Sequence, residues 1–159
     1  TESVPLAAGF GAAAVLAADL APVKRVAELR DRFEQRLAER VPDVSIHGAT
    51  VPRVGNTSSV ELRGCDGEAI VIALDLAGVA VSTGSACSSG RLEPSHVLLA
   101  MGVSGDDARS TIRVSLSRFT TIAEIDRLVE LLSEAVSKNR GELAAGPGRA
   151  AARLRESQN

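Results

Sequence analysis

An apolar stripe with helical spacing constrains the fold of this chain more than any other sequence feature. Val26, Leu29, Phe33 and Leu37 recur every three or four residues, and charged residues fill most positions between them. Apolar residues at this spacing share one face of an α-helix, so the pattern predicts an amphipathic helix that ends at Pro42. A second stripe predicts another helix after Thr121, with these residues facing the core: Ile122, Ile125, Leu128, Val129 and Leu132.

Turn residues and helix-capping residues divide the rest of the chain into short elements. Further helices are predicted over 4–20, from Asp66 to Gly78 and from Pro94 to Gly102, and strands at 44–47, 57–62, 79–82 and 111–116. Thr121 and Glu124 form a capping box at the start of the last helix. Because helices and strands mix without a strict β–α–β order, we expect a small α+β fold, with a short, mostly antiparallel sheet packed with helices.

Composition narrows the possible classes of function. Of the 159 residues, 45% are hydrophobic, which is enough for one domain with a core, and the net charge is −2 with acids and bases interspersed. The sequence has no cluster of basic residues of the kind that binds nucleic acid. The apolar segment 4–20 follows Glu2 rather than a basic region, so we expect neither a secretory leader nor a membrane contact, and a cytoplasmic location. We expect one domain over 1–140 and a mobile or docking tail over 141–159, where large apolar residues become rare.

The two cysteines of the chain differ in their surroundings. Cys65 and Cys87 lie 22 residues apart, without a CxxC motif and without histidines at ligand spacing, so no metal site is predicted. Cys65 adjoins a predicted helix and is expected to be a small buried residue. Cys87 lies among Thr, Ser, Gly and Ala residues, which predicts a mobile loop with an accessible thiol. Such a thiol suits a nucleophile that moves between two sites; the alternative is a flexible loop with an incidental cysteine.

Arg113 is the second candidate site residue. It lies on the polar face of the strand predicted at 111–116, between Ile112 and Val114. A guanidinium presents a planar fork that binds a carboxylate through two hydrogen bonds, which suits an amino-acid substrate. The alternative is a surface arginine in a solvated ion pair.

Five segments of this chain together resemble a known family. They are GNTSSV at 55–60, DGEA at 66–69, SACSSG at 85–90, LEPSHVL at 92–98 and IRVSLSRFTT at 112–121. Over residues 1–137 the chain resembles cysteine desulfurases of the iron–sulfur cluster assembly type, within the class V aminotransferases that depend on pyridoxal phosphate (PLP). The resemblance implies the small C-terminal domain of a fold-type I transferase. Ser117 stands where many members have glycine.

The resemblance also implies roles for three residues. Cys87 matches the cysteine that accepts sulfur from L-cysteine as a persulfide, with release of L-alanine. Arg113 matches the arginine that holds the substrate carboxylate. Thr1 matches the threonine that reaches the PLP phosphate of the neighbouring subunit in a homodimer. The partners implied are L-cysteine and an iron–sulfur scaffold or another sulfur acceptor protein.

PLP enzymes also need a lysine that holds the cofactor, and neither lysine of this chain fits that role. Lys24 falls in the first turn of one predicted amphipathic helix and Lys138 in the last turn of another, where both are expected to be surface residues. We therefore expect the chain to be a fragment that is inactive alone. Two alternatives stay open: a non-catalytic sulfur-carrier or scaffold-docking module, and a relative that acts on selenocysteine. His47 and His96 have no evident partner in the sequence and are expected to serve packing or surface roles.

Overall fold

The computed structural model describes residues 2–83 and 94–145. Within them, six helices and four strands alternate in a mixed order, which confirms the predicted α+β class. The helices are α1 (Val4–Ala17), α2 (Ala21–Arg40), α3 (Gly67–Leu76), α4 (His96–Ala100), α5 (Gly105–Arg109) and α6 (Ile122–Ala145). The strands are β1 (Val44–Ile46), β2 (Thr57–Leu62), β3 (Ser82–Thr83) and β4 (Thr111–Ser115).

The four strands form one antiparallel sheet in the order β1-β2-β4-β3. Strand β4 is therefore internal, paired with β2 on one side and with the two-residue β3 on the other. Its register sets Ile112 opposite Val60, and Ile112 and Val114 are buried while Arg113 and Ser115 are exposed. Since side chains alternate between the two faces of a strand, one face of the sheet is apolar and the other polar.

Helices α2, α3 and α6 cover the apolar face of the sheet. All four apolar residues predicted for the α2 stripe are buried, and Phe33 and Leu37 are fully enclosed. The stripe of α6 is buried from Ile125 onward, whereas Ile122 is 55% exposed. The prediction for Ile122 was therefore wrong, because the first residue of α6 lies outside the packed region.

Local capping fixes the ends of the helices that carry this core. The Asp66 carboxylate accepts hydrogen bonds from the backbone N–H groups of Glu68 at 2.9 Å and Ala69 at 3.3 Å, as predicted. Gly78 has a φ of +79°, which glycine adopts without strain after a helix. The predicted capping box is also present: the Glu124 carboxylate accepts from the Thr121 N–H, and the Thr121 hydroxyl accepts from the Glu124 N–H.

Helix α1 differs from every other long helix of the described chain, because none of its residues is buried. Leu6 and Phe10 are 75% and 79% exposed, and the apolar side chains of α1 are distributed over all sides of the helix. Among residues 2–83 and 94–145, no single helix is long and apolar enough to cross a membrane. The pair α1 and α2 meets the length and composition criteria only together, with a 65° bend between them.

Several element boundaries differ from the sequence prediction, each for a local reason. The strand predicted at 79–82 is found only at Ser82–Thr83, because the Val79 N–H donates to Leu74 O and belongs to the end of α3. Helix α1 stops at Ala17, and Asp19 accepts a hydrogen bond from the first residue of α2. Helix α4 begins at His96 instead of Pro94, α5 was not predicted, and α6 continues through the first five residues of the predicted tail.

Candidate functional site

Arg113 lies on the open polar face of the sheet, as the alternation of β4 predicted. Its Cα partner on β2 is Ser59 and its Cα partner on β3 is Ser82. The Arg113 side chain is exposed, and within the described residues it makes no ion pair and no side-chain hydrogen bond. A guanidinium in this position is available to a ligand that approaches the polar face.

Two of the three predicted site residues, Thr1 and Cys87, lie outside the described residues. In the sequence, Cys87 follows Ser82, the β3 neighbour of Arg113, by five residues.

The segment after β4 is held in place by its own turn and by α2. The Ser117 hydroxyl accepts a hydrogen bond from the Phe119 N–H at 3.1 Å, and the Ser117 N–H donates to the Thr120 hydroxyl at 3.0 Å. Arg25 of α2 donates to the carbonyl oxygens of Arg118 and Thr120, each at 3.0 Å. Ser117 has no positive φ, so serine fits this position without backbone strain. The end of β4 that follows Arg113 is thus tied to α2.

A buried carboxylate shares the polar face with Arg113, and sequence reasoning missed its partners. Glu61 is 4% exposed, and its two oxygens lie 3.0 Å from Arg63 Nε and 3.4 Å from His47 Nε2. His47 Nε2 is also 3.4 Å from the Thr111 hydroxyl. The prediction that His47 has only a packing or surface role was incomplete, because the contact depends on the register of β1 against β2. The alternation of residues along β2 does place Glu61 and Ser59 on the same face, so this part of the arrangement could have been predicted from the sequence.

Cys65 occupies a different environment, beneath the C-terminal part of α6. It is buried, as predicted, and burial raises the pKa of its thiol, while the nearby Arg140 guanidinium opposes this rise. Arg140 also donates to the carbonyl oxygens of Arg63 and Pro42, each at 2.9 Å. The side chain of Arg140 therefore ties α6 to the segment that precedes α3, and Cys65 is unsuited to nucleophilic attack.

The described residues do not enclose Arg113. A cavity of about 360 Å³ opens beside the end of β4, next to the residues that lead into β3, but Arg113 does not line it; Val114, Ser115 and Leu116 do. No group of three or more potential metal ligands occurs among residues 2–83 and 94–145. Among residues 2–83 and 94–145, Arg113 therefore lies exposed on the polar face, outside this cavity.

A family model supplies the broader assignment. The model for aminotransferase class V matches residues 1–128. The chain belongs to the aminotransferase class V family. The matched residues include β4 with Arg113 and the segment with Cys87.

Relatives within this family carry a common name. A cysteine desulfurase from Cereibacter sphaeroides is 48% identical over 142 residues, which cover 88% of this chain and 36% of the relative. A cysteine desulfurase from Gluconacetobacter diazotrophicus is 43% identical over 155 residues, covering 96% of this chain and 39% of the relative. The chain thus spans little more than a third of the length of these curated relatives.

Solved structures agree with the fold. A NifS-like protein from Rickettsia africae ESF-5 superposes with a TM-score of 0.61 and 31% identity, covering 72% of this chain and 29% of that protein. Another NifS-like protein gives a TM-score of 0.61 and 28% identity, covering 72% and 28%. The α+β arrangement predicted as part of a fold-type I domain is therefore found in structures of NifS-like proteins.

Proposed function

We propose that this chain is the small-domain part of a cysteine desulfurase that takes sulfur from L-cysteine. The observation that carries the proposal is the register of β3 against β4. It places Ser82 beside Arg113, and Cys87 follows Ser82 by five residues. Arg113, the proposed carboxylate-binding group, thus lies on β4. Cys87, the proposed nucleophile, belongs to the segment that follows the adjacent strand β3 in the sequence. The name shared by the relatives supports the same activity.

In this proposal, Arg113 holds the carboxylate of L-cysteine. The guanidinium can donate two parallel hydrogen bonds to the two carboxylate oxygens. Its outward direction from the polar face leaves this fork open to a ligand. Because β4 is paired on both sides, the backbone that carries Arg113 is fixed, and the bound amino acid is oriented by the sheet.

Cys87 then acts on the substrate sulfur. Its thiolate forms a bond to that sulfur, and the bond between the sulfur and the substrate β-carbon breaks. The electron pair of the broken bond stays on carbon, which takes up a proton, so L-alanine leaves. The sulfur remains on Cys87 as a persulfide, which passes to an iron–sulfur scaffold or another acceptor protein. Cys65 takes no part, since burial raises the pKa of its thiol.

PLP is the cofactor proposed for the longer parent protein, where it supplies an electron sink for the substrate. The described residues do not fit this group by themselves. Both lysines, Lys24 and Lys138, are exposed on the surfaces of α2 and α6, and neither lines the cavity beside β4. We therefore propose that the cofactor lysine lies in the remaining length of the parent. Thr1 is proposed to reach the PLP phosphate of the second subunit of a homodimer.

The exposure of α1 supports the proposal that the cofactor is held by a further domain of the parent. An apolar helix with no buried residue requires a cover, and the matched relatives are more than twice as long as this chain. We propose that the cofactor domain of the parent covers α1. A cytoplasmic location is part of the same proposal, since iron–sulfur scaffolds would be its acceptors there.

The test compares the 159-residue chain with the full-length parent. Each is mixed with PLP and L-cysteine, and alanine release is measured. We expect alanine only from the parent, and no alanine from a parent that carries Cys87→Ser. Turnover by the chain alone, or undiminished turnover by the Cys87→Ser parent, would contradict the proposal. A Cys65→Ser parent is the matched control and should retain alanine release.

A further inference from the structure

The register of the sheet aligns four polar residues in one row across its open face. Ser59 and Ser82 are the Cα partners of Arg113 on its two sides. His47 extends the row at the edge, because its N–H donates to the Ser59 carbonyl at 3.0 Å. Residues directly opposite in antiparallel strands share a face and have Cβ atoms about 4.5–5.5 Å apart. Arg113 is therefore flanked by two serines on the face that it presents.

The chemistry of this row matches a carboxylate better than the arginine alone does. An ionised carboxylate offers about four acceptor positions, and a guanidinium fork fills two of them. A serine hydroxyl is a donor that can turn toward a remaining position. Ser59 and Ser82 are half-buried, so their hydroxyls are partly shielded from water yet open to the polar face. Within the described residues, the Ser59 hydroxyl makes no hydrogen bond.

The Glu61 carboxylate on this face contacts His47 at the edge of the row but neither Arg113 nor the Ser59 hydroxyl among the described residues. Glu61 lies on the same face, two residues further along β2 than Ser59 and opposite Thr111. Its two oxygens already face Arg63 at 3.0 Å and His47 at 3.4 Å. Within the described residues, Arg113 and the Ser59 hydroxyl therefore keep their donors for an incoming anion.

We infer that Ser59 and Ser82 bind the carboxylate of the amino-acid substrate together with Arg113. This inference rests on the proposed function and deepens it by naming further substrate-binding residues. The register places Ser59 and Ser82 on either side of the Arg113 backbone, so a carboxylate that the guanidinium holds against the sheet can also accept hydrogen bonds from their hydroxyls. An amine without a carboxylate gains none of these contacts. Ser59 is the sharper test, because it lies on the six-residue strand β2, whereas Ser82 is only five residues before Cys87 in the sequence.

The experiment measures alanine release from L-cysteine by the full-length parent carrying Ser59→Ala, Ser59→Thr or Ser45→Ala. Ser45 is the matched control, since it is a half-buried serine on the same face but opposite Glu61 instead of Arg113. A hydrogen bond to a charged group contributes enough for its loss to change affinity by about tenfold. We expect Ser59→Ala to raise KM about tenfold with kcat within about twofold. Ser59→Thr keeps the hydroxyl and should stay close to wild type, as should Ser45→Ala.

The outcomes separate this inference from the proposed function. Alanine release by the wild type, with the same KM for Ser59→Ala and Ser45→Ala, overturns the inference and leaves the proposed function standing. An equal rise of KM in both alanine variants, with equal loss of melting temperature, also overturns it, because the effect is then structural. No alanine from the wild-type parent overturns both.

Discussion

Gly67 offers the most direct test of how the site is assembled, because α3 approaches the start of β4 there. A Cβ added at Gly67 would lie 2.5 Å from the carbonyl oxygen of Arg109 and 3.4 Å from that of Thr111. Both are backbone atoms of the segment that leads to Arg113, so neither can move aside as the end of a side chain could. An extra methyl group in a packed site typically costs about 1–3 kcal/mol.

Alanine also stabilises a helix relative to glycine, by at most about 1 kcal/mol. For Gly67→Ala the steric cost therefore prevails, and we expect a net loss of about 1–2 kcal/mol in the free energy of unfolding. Gly141→Ala is the matched control, since Gly141 lies inside α6 and an added Cβ meets nothing within 4 Å. We expect that variant to gain about 0.5–1 kcal/mol.

The assay is equilibrium urea unfolding of the 159-residue chain, followed by far-ultraviolet circular dichroism. The two substitutions are chemically identical and should shift the midpoint in opposite directions. In thermal unfolding, each kcal/mol corresponds to about 2–4 °C for a chain of this size. Equal or greater stability of Gly67→Ala relative to wild type would refute the argument from close backbone approach.

Three further predictions follow from the site and the core. Limiting alkylation at neutral pH should label Cys87 before Cys65, whose raised pKa delays labelling until the pH is higher or the chain unfolds; first labelling of Cys65, mapped by mass spectrometry, would contradict this. Arg113→Lys in the parent should cost about 2–5 kcal/mol of transition-state stabilisation, measured as a lower kcat/KM for L-cysteine at an unchanged melting temperature, because an ammonium cannot replace the guanidinium fork. Normal kinetics would remove Arg113 from the site. A hydrogen bond from Arg32 holds the pKa of Asp126 below its ordinary value of 3.8, so the stability that this carboxylate contributes is present above that value and is lost as the pH falls through its lower folded pKa. Asp126→Asn should therefore be less stable than wild type at neutral pH, and the difference in urea midpoint should shrink in acid.

Regular apolar spacing explains why much of the core could be predicted from the sequence. The stripe of α2 was predicted residue by residue, because a helix of 20 residues repeats its pattern several times. The Asp66 cap and the capping box at Thr121 are equally local, since each joins residues two or three apart. Such features depend on neighbours in sequence, which are visible without a fold.

Short elements and pairings between strands could not be predicted in the same way. Helix α5 has five residues, of which only Ala108 is buried, so it shows no stripe; its signal is the Ser104 cap followed by two acids. The position of β3 depends on its pairing with β4 instead of on its own apolar residues. Arg113 was predicted on the correct face, but the serines beside it come from strands 54 and 31 positions earlier in the chain, and only the register brings them together.

The exposed helix α1 also has a consequence for the chain inside a cell. A helix that is apolar on all sides has no polar face to present to water. A chain whose α1 stays exposed is therefore a target for chaperone binding and prone to aggregation. The abundance of a free chain would then depend on α1, however stable the packing of α2 and α6 against the sheet. In the proposed parent, burial of α1 would mark the correct assembly of this chain with the cofactor domain. Cellular quality control would then distinguish assembled from unassembled copies by the exposure of α1, independently of catalytic activity.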